Sequence, residues 1–193
     1  MTTRLVLASG SAVRRELLQR LRLPFHWEAA DVDESRLPGE SPRELVARLA
    51  VAKARSLAIR FPDALLIGAD EVCALGDQVF GKPLTVEMAC EQLSRFSGQQ
   101  VEFLSAIAVV RAADGACREA LIPTTAVFRK LDARMIARYV DLDHPLECAG
   151  SFRSEGMGPV LCTRLASDDP TALPGLPLIA LATILDHFGV SLS

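Results

Sequence analysis

The residues best suited to chemistry lie near the middle of the chain, where an acid and a base follow one short apolar run. Residues 64–67 are apolar, Gly68 and Ala69 follow, and then come Asp70 and, one loop later, Lys82. A short apolar run bounded by turn residues predicts a buried strand, although periodicity alone also allows a buried helix. A carboxylate just past such a strand occupies the place where open α/β sheets carry their chemistry. The pair therefore suggests a metal–phosphate site, with a surface salt bridge as the simpler alternative.

The chain around these two residues allows two further inferences. Gly68 and Ala69 have little side-chain bulk, so we expect a ligand to approach the backbone closely there. Residues 76–82 fit the first seven positions of a P-loop, but the eighth is Pro83, which has neither a hydroxyl for magnesium nor a backbone N–H. We therefore reject a P-loop.

A second place suited to anions lies at the start of the chain. Residues 5–8 read as a buried strand, residues 9–11 as a tight polar turn, and apolar residues then recur at helical spacing. A helix N-terminus with Ser9 and with Arg14 or Arg15 nearby can bind an anion through N–H groups and positive charge. The alternative is that Ser11 is an ordinary N-cap and both arginines are solvated.

Lys53 is the third candidate, on a helix whose start is well marked. Ser41, Pro42 and Glu44 predict a capping box with proline at the first helical position. Lys53 lies between the apolar rows of this helix. It either extends to solvent, as most such lysines do, or binds phosphate if its face borders a cleft.

The remaining elements follow from turn signals and apolar patterns. Residues 148–158 contain three glycines and read as a loop that can wrap a ligand, and residues 168–171 read as an Asp-Pro turn or, less simply, as a metal-binding loop. We predict a helix capped by Thr85 through residue 93, a strand over 101–111, a hairpin turn at 114–115, its partner strand over 117–128, a helix over 132–140, a strand over 160–165 and a last helix ending at Gly189.

Composition limits the classes of protein. The chain has 193 residues, enough for one domain with two lobes, and a net charge of −3, which argues against a nucleic-acid binder. No apolar run approaches the roughly 20 residues that cross a bilayer, and the start is too short for a signal peptide. Five widely spaced cysteines argue against a disulfide framework or structural zinc. We therefore expect a cytoplasmic protein that binds no membrane.

The candidate residues belong to a set of motifs that resembles one family. Residues 7–18 look like the opening motif of the Maf (septum-formation inhibitor) nucleotide pyrophosphatases, and the later motifs follow in order over nearly the whole chain. The resemblance implies a single domain, residues 1–193, with a two-lobed α/β fold similar to that of ITPases. It also implies a long mixed sheet flanked by helices, a central cleft and a homodimer. The later motifs are Val32-Asp33-Glu34, Lys53-Ala54, Gly68-Ala69-Asp70, Gly81-Lys82-Pro83, Cys148-Ala149-Gly150 and Gly175-Leu176-Pro177-Leu178.

The same resemblance implies an activity and assigns roles. A nucleoside triphosphate would be hydrolysed to a monophosphate and pyrophosphate. Asp70 would be the catalytic proton acceptor and, with Glu34, would hold Mg²⁺ or Mn²⁺, which prefer oxygen ligands. The residues expected to bind the phosphates are Ser9, Arg14, Lys53 and Lys82.

Within the family, residues 151–156 and 169–173 resemble the branch that hydrolyses 7-methyl-GTP. Three positions bear on the choice of base: Glu155, where the dTTP and UTP branch usually has Gln; Val13, where the 7-methyl-GTP branch often has a large aromatic; and Glu71, where that branch usually has Gln. Phe152 is expected to offer a stacking face beside Glu155. The alternatives are a dTTP/UTP pyrophosphatase of the same family, a non-catalytic nucleotide-binding regulator and, last, a septum-linked scaffold.

Overall fold

The computed structural model describes residues 4–192, so residues 1–3 and 193, the ends of the predicted domain, lie outside it. The chain forms two compact units. The first contains the chain up to Asp70, Ser105–Ile122 and the chain from Asp169 onward, and the second contains Glu71–Leu104 and Pro123–Asp168. The chain passes between the units at four points, three of them within strands and the fourth after the last strand. The interpretation of residues 1–193 as one domain stays a prediction.

Residues 4–192 form a seven-stranded mixed sheet and five α-helices, which confirms the predicted α/β class with a long mixed sheet. The strand order is β2-β1-β3-β5-β6-β7, with β4 paired to β3. β1 is parallel to β2 and β3, whereas β3–β4 and β6–β7 are antiparallel. The strands are β1 (Arg4–Ala8), β2 (Phe25–Glu28), β3 (Ala64–Leu75), β4 (Gln78–Phe80), β5 (Gln100–Arg111), β6 (Cys117–Phe128) and β7 (Cys162–Ser167).

Five α-helices pack with these strands, and two of them begin at a predicted cap. They are α1 (Ala12–Gln19), α2 (Pro42–Ser56), α3 (Val86–Phe96), α4 (Ala133–Asp143) and α5 (Leu178–His187). Ser41 caps α2 with the predicted capping box, and Thr85 and Asp132 cap α3 and α4. Within the described residues, no helix is both long enough and apolar enough to span a membrane.

The first unit has a core on both faces of its parallel strands, because side chains alternate along a strand. Leu5 and Leu7 of β1 pack in one hydrophobic cluster, and Val6 and Ala8 pack in another. Each fully buried leucine contributes about 1.5–3 kcal/mol to folding relative to an exposed one. This burial fixes the register of β1, and so the position of the polar turn that follows it.

Gly68 lies where α2 passes directly over β3. A Cβ at this position would stand 2.0 Å from the carbonyl oxygen of Ala50 and 2.6 Å from the amide nitrogen of Ala54. The expectation of a ligand beside Gly68 is therefore wrong, since the helix backbone fills that space. The strand also does not end there, because β3 continues to Leu75 and Asp70 lies within it.

Asp169 has a structural role in the first unit, as part of the cap of α5. This helix has no side-chain cap of its own at Pro177. Instead Asp169 Oδ2 accepts a hydrogen bond from the Ile179 amide at 2.7 Å, and Thr171 Oγ1 accepts one from the Leu178 amide at 2.7 Å. Asp169 is 1 % exposed and also accepts two bonds from Thr171, so the turn interpretation holds and the metal-loop alternative is wrong.

In the second unit, residues 76–82 form a tight turn and strand β4, which pairs back onto β3, so they are no phosphate-binding loop.

The core of this unit is aromatic. Phe152 packs against Phe103 and Phe128, with ring centroids 5.0 and 5.6 Å away, and is 5 % exposed. The expectation that Phe152 offers a face to a base is therefore wrong, because its ring is buried among core rings.

Candidate active site

A lysine between two carboxylates forms the centre of the site in the first unit. Lys53 Nζ lies 2.5 Å from Asp70 Oδ1 and 2.7 Å from Glu34 Oε1. Lys53 and Asp70 are both buried, whereas the Glu34 side chain is 60 % exposed. Lys53 therefore does not extend to solvent, as most lysines on such a helix do. Glu34, Lys53 and Asp70 are called the acid–lysine cluster below.

The cluster follows from the packing of α2 on β3. Gly68 and Asp70 are two residues apart on the strand, so both face the helix. Because α2 touches the strand backbone at Gly68, the next turn of the helix brings Lys53, the neighbour of Ala54, over Asp70. The capping box at Ser41 fixes where α2 begins and so which residue reaches this point.

Burial sets the protonation of Asp70. Loss of solvent raises the pKa of its carboxyl group above the usual value, and the negative charge of Glu34 adds to this. The charge and hydrogen bond of Lys53 oppose the rise, as does the charge of Arg14. The net effect is a raised pKa, so Asp70 binds a proton more readily than a solvent-exposed aspartate does.

The cluster also has the donor set that a hard divalent cation requires. Carboxylate oxygens of Glu34 and Asp70 already converge on one positive charge, the Lys53 ammonium. Mg²⁺ and Mn²⁺ take one or two carboxylates together with substrate phosphates. Among residues 4–192, no group of three or more His, Cys, Asp or Glu side chains is arranged to hold a metal alone. Glu34 and Asp70 are thus the two carboxylates that such an ion would take from this cluster.

The predicted anion-binding turn lies in the same unit. Arg14 donates from Nη1 to the carbonyl of Ala69 at 2.9 Å and from Nε to the carbonyl of Gly175 at 3.0 Å. These two bonds fix the guanidinium plane beside the residue that precedes Asp70. Ser9 is buried, and its Oγ accepts from the Ser11 amide at 3.2 Å.

The two neighbours of Arg14 in the first turn of α1 make different contacts from it. Arg15, which the sequence left as an alternative, has its guanidinium 3.9 Å from the ring centroid of Trp27. Val13 is half-buried and packs against the hydrophobic core of the first unit. Its predicted role in base selection stays a prediction.

Sequence reasoning missed two residues that hold the segment carrying Glu34. Arg48 of α2 donates to the buried carboxylate of Glu40, from Nε at 2.6 Å and from Nη2 at 2.9 Å. The same Nη2 donates to the carbonyl of Ser35, the residue after Glu34, at 3.0 Å. An acid just before a capping box and an arginine two turns into the helix are the signals that could have found this pair.

Glu40→Gln is expected to lower the stability of the protein at neutral pH, with a loss that depends on pH. The hydrogen bonds from Arg48 lower the pKa of Glu40 from 4.5 to about 2. A lowered carboxyl pKa stabilises the fold above the unfolded value, and this stabilisation is lost as the pH falls through about 2. Thermal unfolding of both proteins between pH 7 and pH 2.5 measures the difference, which should shrink below pH 4.5. The exposed Glu16→Gln is the control; a constant difference for Glu40→Gln would contradict the pKa.

In the second unit, Lys82 lies on the loop after β4. Its Nζ is 3.2 Å from Glu147 Oε2, and both side chains are more than half exposed. The loop is held through Gly81, whose carbonyl accepts from the Gly150 amide and from Gln92 Nε2, both at 3.2 Å. Gln92 is a buried residue that sequence reasoning missed, although a glutamine in the apolar row of α3 is a visible signal.

Two predicted specificity residues lie around one thiol in the second unit. The pKa of Cys148 is raised to about 11, mainly by burial and also by the charges of Glu155, Glu71 and Asp143, against the opposing charge of Arg153. The thiol therefore stays protonated at neutral pH and is no nucleophile. Glu71 and Glu155 are within electrostatic reach of the same group, so this part of the unit is rich in negative charge.

Glu155 is available for a ligand in this structure. Its side chain is exposed, and Oε2 accepts from Ser154 Oγ at 2.7 Å. In the described part of the chain it forms no salt bridge with Arg153 or Arg164, the alternative to a role in binding a base. Arg153 instead donates to the carbonyl of Asp143 at 3.2 Å.

The chemistry open to the acid–lysine cluster follows from these contacts. A buried carboxylate beside an ammonium can take a proton from water or share a cation with Glu34. Arg14 places positive charge close to it, which suits an anionic substrate.

Three comparisons with known proteins show what this chain is similar to. The sequence model of the family described as Maf-like protein matches residues 4–188. A protein of Pseudomonas putida named 7-methyl-GTP pyrophosphatase is 52 % identical, over 96 % of this chain and 97 % of its own length. One of the same name from Aromatoleum aromaticum is also 52 % identical, over 98 % of each chain. The solved structure of the Staphylococcus aureus Ham1 protein aligns with a TM-score of 0.48 and 16 % identity, over 65 % of this chain and 72 % of that one.

Proposed function

The chain belongs to the family of Maf-like proteins, and on that premise we propose that it hydrolyses 7-methyl-GTP to 7-methyl-GMP and pyrophosphate. The observation that carries the proposal is the acid–lysine cluster, in which buried Asp70 lies against Lys53 and Glu34. The names of relatives about half identical over nearly their full length support the choice of substrate.

The phosphates are bound by positive charge and by N–H donors. A nucleoside triphosphate carries close to four negative charges, which charge-assisted hydrogen bonds and fixed dipoles can offset. We assign this binding to Arg14, Lys53 and Lys82, and to Ser9 at the turn before α1. Lys53 is paired with two carboxylates in the free protein, so a phosphate has to compete with them for its ammonium.

Asp70 takes the proton in the hydrolytic step. Water adds to phosphorus, the bond between the α- and β-phosphates breaks, and the proton of the attacking water passes to the Asp70 carboxylate. Glu34 and Asp70 would hold Mg²⁺ or Mn²⁺. A bound ion supplies neutralisation of phosphate charge and a lowered pKa for its water.

The base is selected by carboxylates of the second unit. A 7-methylguanine ring carries a delocalised positive charge, and its Watson–Crick edge presents donors at N1 and N2. A carboxylate accepts both hydrogen bonds and supplies the opposite charge. An amide is neutral, and only its oxygen accepts hydrogen bonds. Glu155 is exposed, and Glu71 and Glu155 both act electrostatically on the Cys148 thiol. We therefore assign base recognition to Glu155, with Glu71 contributing charge.

Pyrophosphate release with a panel of nucleotides under saturating Mn²⁺ tests the proposal. We expect kcat/KM for 7-methyl-GTP to exceed the values for GTP, dTTP and UTP. A preference for dTTP and UTP would assign the chain to the other branch of the family. Binding of nucleotide without release of pyrophosphate would make it a non-catalytic regulator.

Glu155→Gln is expected to reduce kcat/KM for 7-methyl-GTP far more than for dTTP or UTP, by about tenfold relative to them. The amide keeps the shape of the side chain but loses the negative charge that attracts the positively charged methylated ring. The control is Glu91→Gln, the same change at an exposed position on α3 of the same unit. Unchanged ratios among the three nucleotides would show that Glu155 does not select the base.

We further propose that the protein acts in the cytoplasm as a homodimer and binds no nucleic acid. The net charge of −3 supports the last point. Sedimentation equilibrium tests the dimer, and it would be overturned by a mass of 20.8 kDa, that of one chain, at assay concentrations.

A further inference from the structure

The segment that carries Glu155 is held by two buried side chains on α4. Tyr139 and Asp143 are four residues apart and therefore lie on the same face of the helix. Tyr139 is 2 % exposed and Asp143 is 7 % exposed. Both form hydrogen bonds with the backbone of residues 151–157.

Tyr139 holds the first half of this segment through its hydroxyl. The hydroxyl accepts from the Arg153 amide at 2.9 Å and donates to the Ser151 carbonyl at 3.1 Å. Burial raises the pKa of Tyr139, so the hydroxyl stays protonated and able to donate. The backbone is thus fixed two residues before Glu155.

Asp143 holds the second half. Its Oδ2 accepts from the Met157 amide at 2.8 Å, which fixes the backbone two residues after Glu155. A Cβ at Gly156 would stand 2.3 Å from Oδ1 and 2.5 Å from Oδ2, so the segment lies directly against the carboxylate. Only glycine allows this approach at position 156.

The short loop between these two points is closed by its own backbone. The amides of Gly156 and Gly158 donate to the carbonyl of Arg153 at 3.3 and 3.1 Å. Glu155 therefore projects from a tight turn whose two ends are both held by α4. Its side chain is exposed, so the position of its carboxylate depends on this backbone and on the bond from Ser154.

We propose that Tyr139 and Asp143 are positioning residues for nucleotide selectivity, which they determine by holding the turn that presents Glu155. The inference rests on the proposed function, because it concerns discrimination between 7-methyl-GTP and unmethylated GTP. A displacement of about 1 Å of a recognition group can cost one to two orders of magnitude in rate. Loosening the turn should therefore reduce discrimination while leaving hydrolysis of the poorer substrate largely intact.

Tyr139→Phe tests the proposal with a small change, since it keeps the ring and removes only the hydroxyl. Ser97→Ala is the matched control in the same unit. Ser97 Oγ also joins two backbone groups of one loop, accepting from the Leu131 amide at 2.7 Å and donating to its carbonyl at 3.1 Å. Both variants lose one hydroxyl with two backbone partners, buried at Tyr139 and half-buried at Ser97, but only Tyr139 contacts the turn of Glu155.

We expect Tyr139→Phe to lower the ratio of kcat/KM for 7-methyl-GTP to that for GTP by more than about tenfold, mainly through KM for 7-methyl-GTP. Ser97→Ala should leave the ratio within about twofold. Equal ratios in wild type and Tyr139→Phe overturn the inference, as does an equal loss in Ser97→Ala. A wild-type protein that turns over neither nucleotide overturns the proposed function and the inference with it.

Gly156→Ala is the second variant, in case Tyr139→Phe does not fold. Its added methyl would overlap the Asp143 carboxylate, so the turn and this carboxylate have to move apart, whereas the Tyr139 side chain is unchanged. The same loss of discrimination is expected, and an unchanged ratio in folded Gly156→Ala overturns the inference.

Discussion

Asp70→Asn is expected to lower kcat/KM by more than about 100-fold, because an amide accepts no proton from water and is a poor metal ligand. The protein should still fold. Burial raises the pKa of Asp70, so the ionised form opposes folding at neutral pH, and this cost is absent in the neutral amide. Lys53 keeps Glu34 as a partner in the variant. Pyrophosphate release and thermal unfolding measure the two effects separately.

The control for this variant is Asp63→Asn, the same chemical change at an exposed turn just before β3. Its activity and unfolding temperature should both match the wild type. Turnover within a few-fold of wild type in folded Asp70→Asn would remove Asp70 from the catalytic step and leave the acid–lysine cluster as a structural ion pair.

Lys53→Met is expected to give the second large effect, a loss of at least about tenfold in kcat/KM at pH 7 that partly recovers as the pH rises. The charge and the hydrogen bond of Lys53 hold down a pKa that burial raises. Their removal raises the pKa of Asp70 further, so less of the carboxyl group is ionised at a given pH. Raising the pH restores the ionised form, but it does not restore the charge that would bind phosphate.

Two measurements separate these contributions. A carboxyl NMR titration of the metal-free protein reports the pKa of Asp70 directly, and the acid limb of the pH–rate profile reports its effect on turnover. Lys130→Met, at an exposed lysine in the second unit, is the control for loss of a positive charge. An acid limb at the same pH in Lys53→Met and wild type would show that Lys53 does not tune Asp70.

Local features of the fold could be predicted because local hydrogen bonds cause them. Ser41 and Thr85 each cap the helix that the sequence assigns to them, since a short polar side chain satisfies the first free amides. Asp132, predicted only as the first residue of a helix, caps α4 in the same way. The end of α4 was harder to predict from the sequence. Its predicted end at residue 140 misses the turn that contains Asp143, because nothing in the local pattern distinguishes that turn from a loop.

The acid–lysine cluster shows what local pattern cannot supply. The sequence identifies Asp70, Glu34 and Lys53 as candidates, but it leaves Lys53 either solvated or bound to phosphate. Its burial between two carboxylates depends on how closely α2 approaches β3, which is a property of packing. Tyr139 and Gln92 were missed for a related reason: each acts through the backbone of another segment, and no motif records such a contact.

Gly68 has a consequence for anyone who tries to make this protein more heat-resistant. Replacing glycine by alanine is a common engineering step. It lowers the conformational entropy of the unfolded chain and so stabilises the protein by about 0.4–1 kcal/mol where the native conformation allows alanine. At position 68 the new methyl group would stand 2.0 Å from a helix carbonyl, so the helix would have to move outward. Lys53 travels with that helix. A substitution chosen only to raise thermal stability would thus pull the ammonium group away from Asp70, and it would lower the catalytic rate.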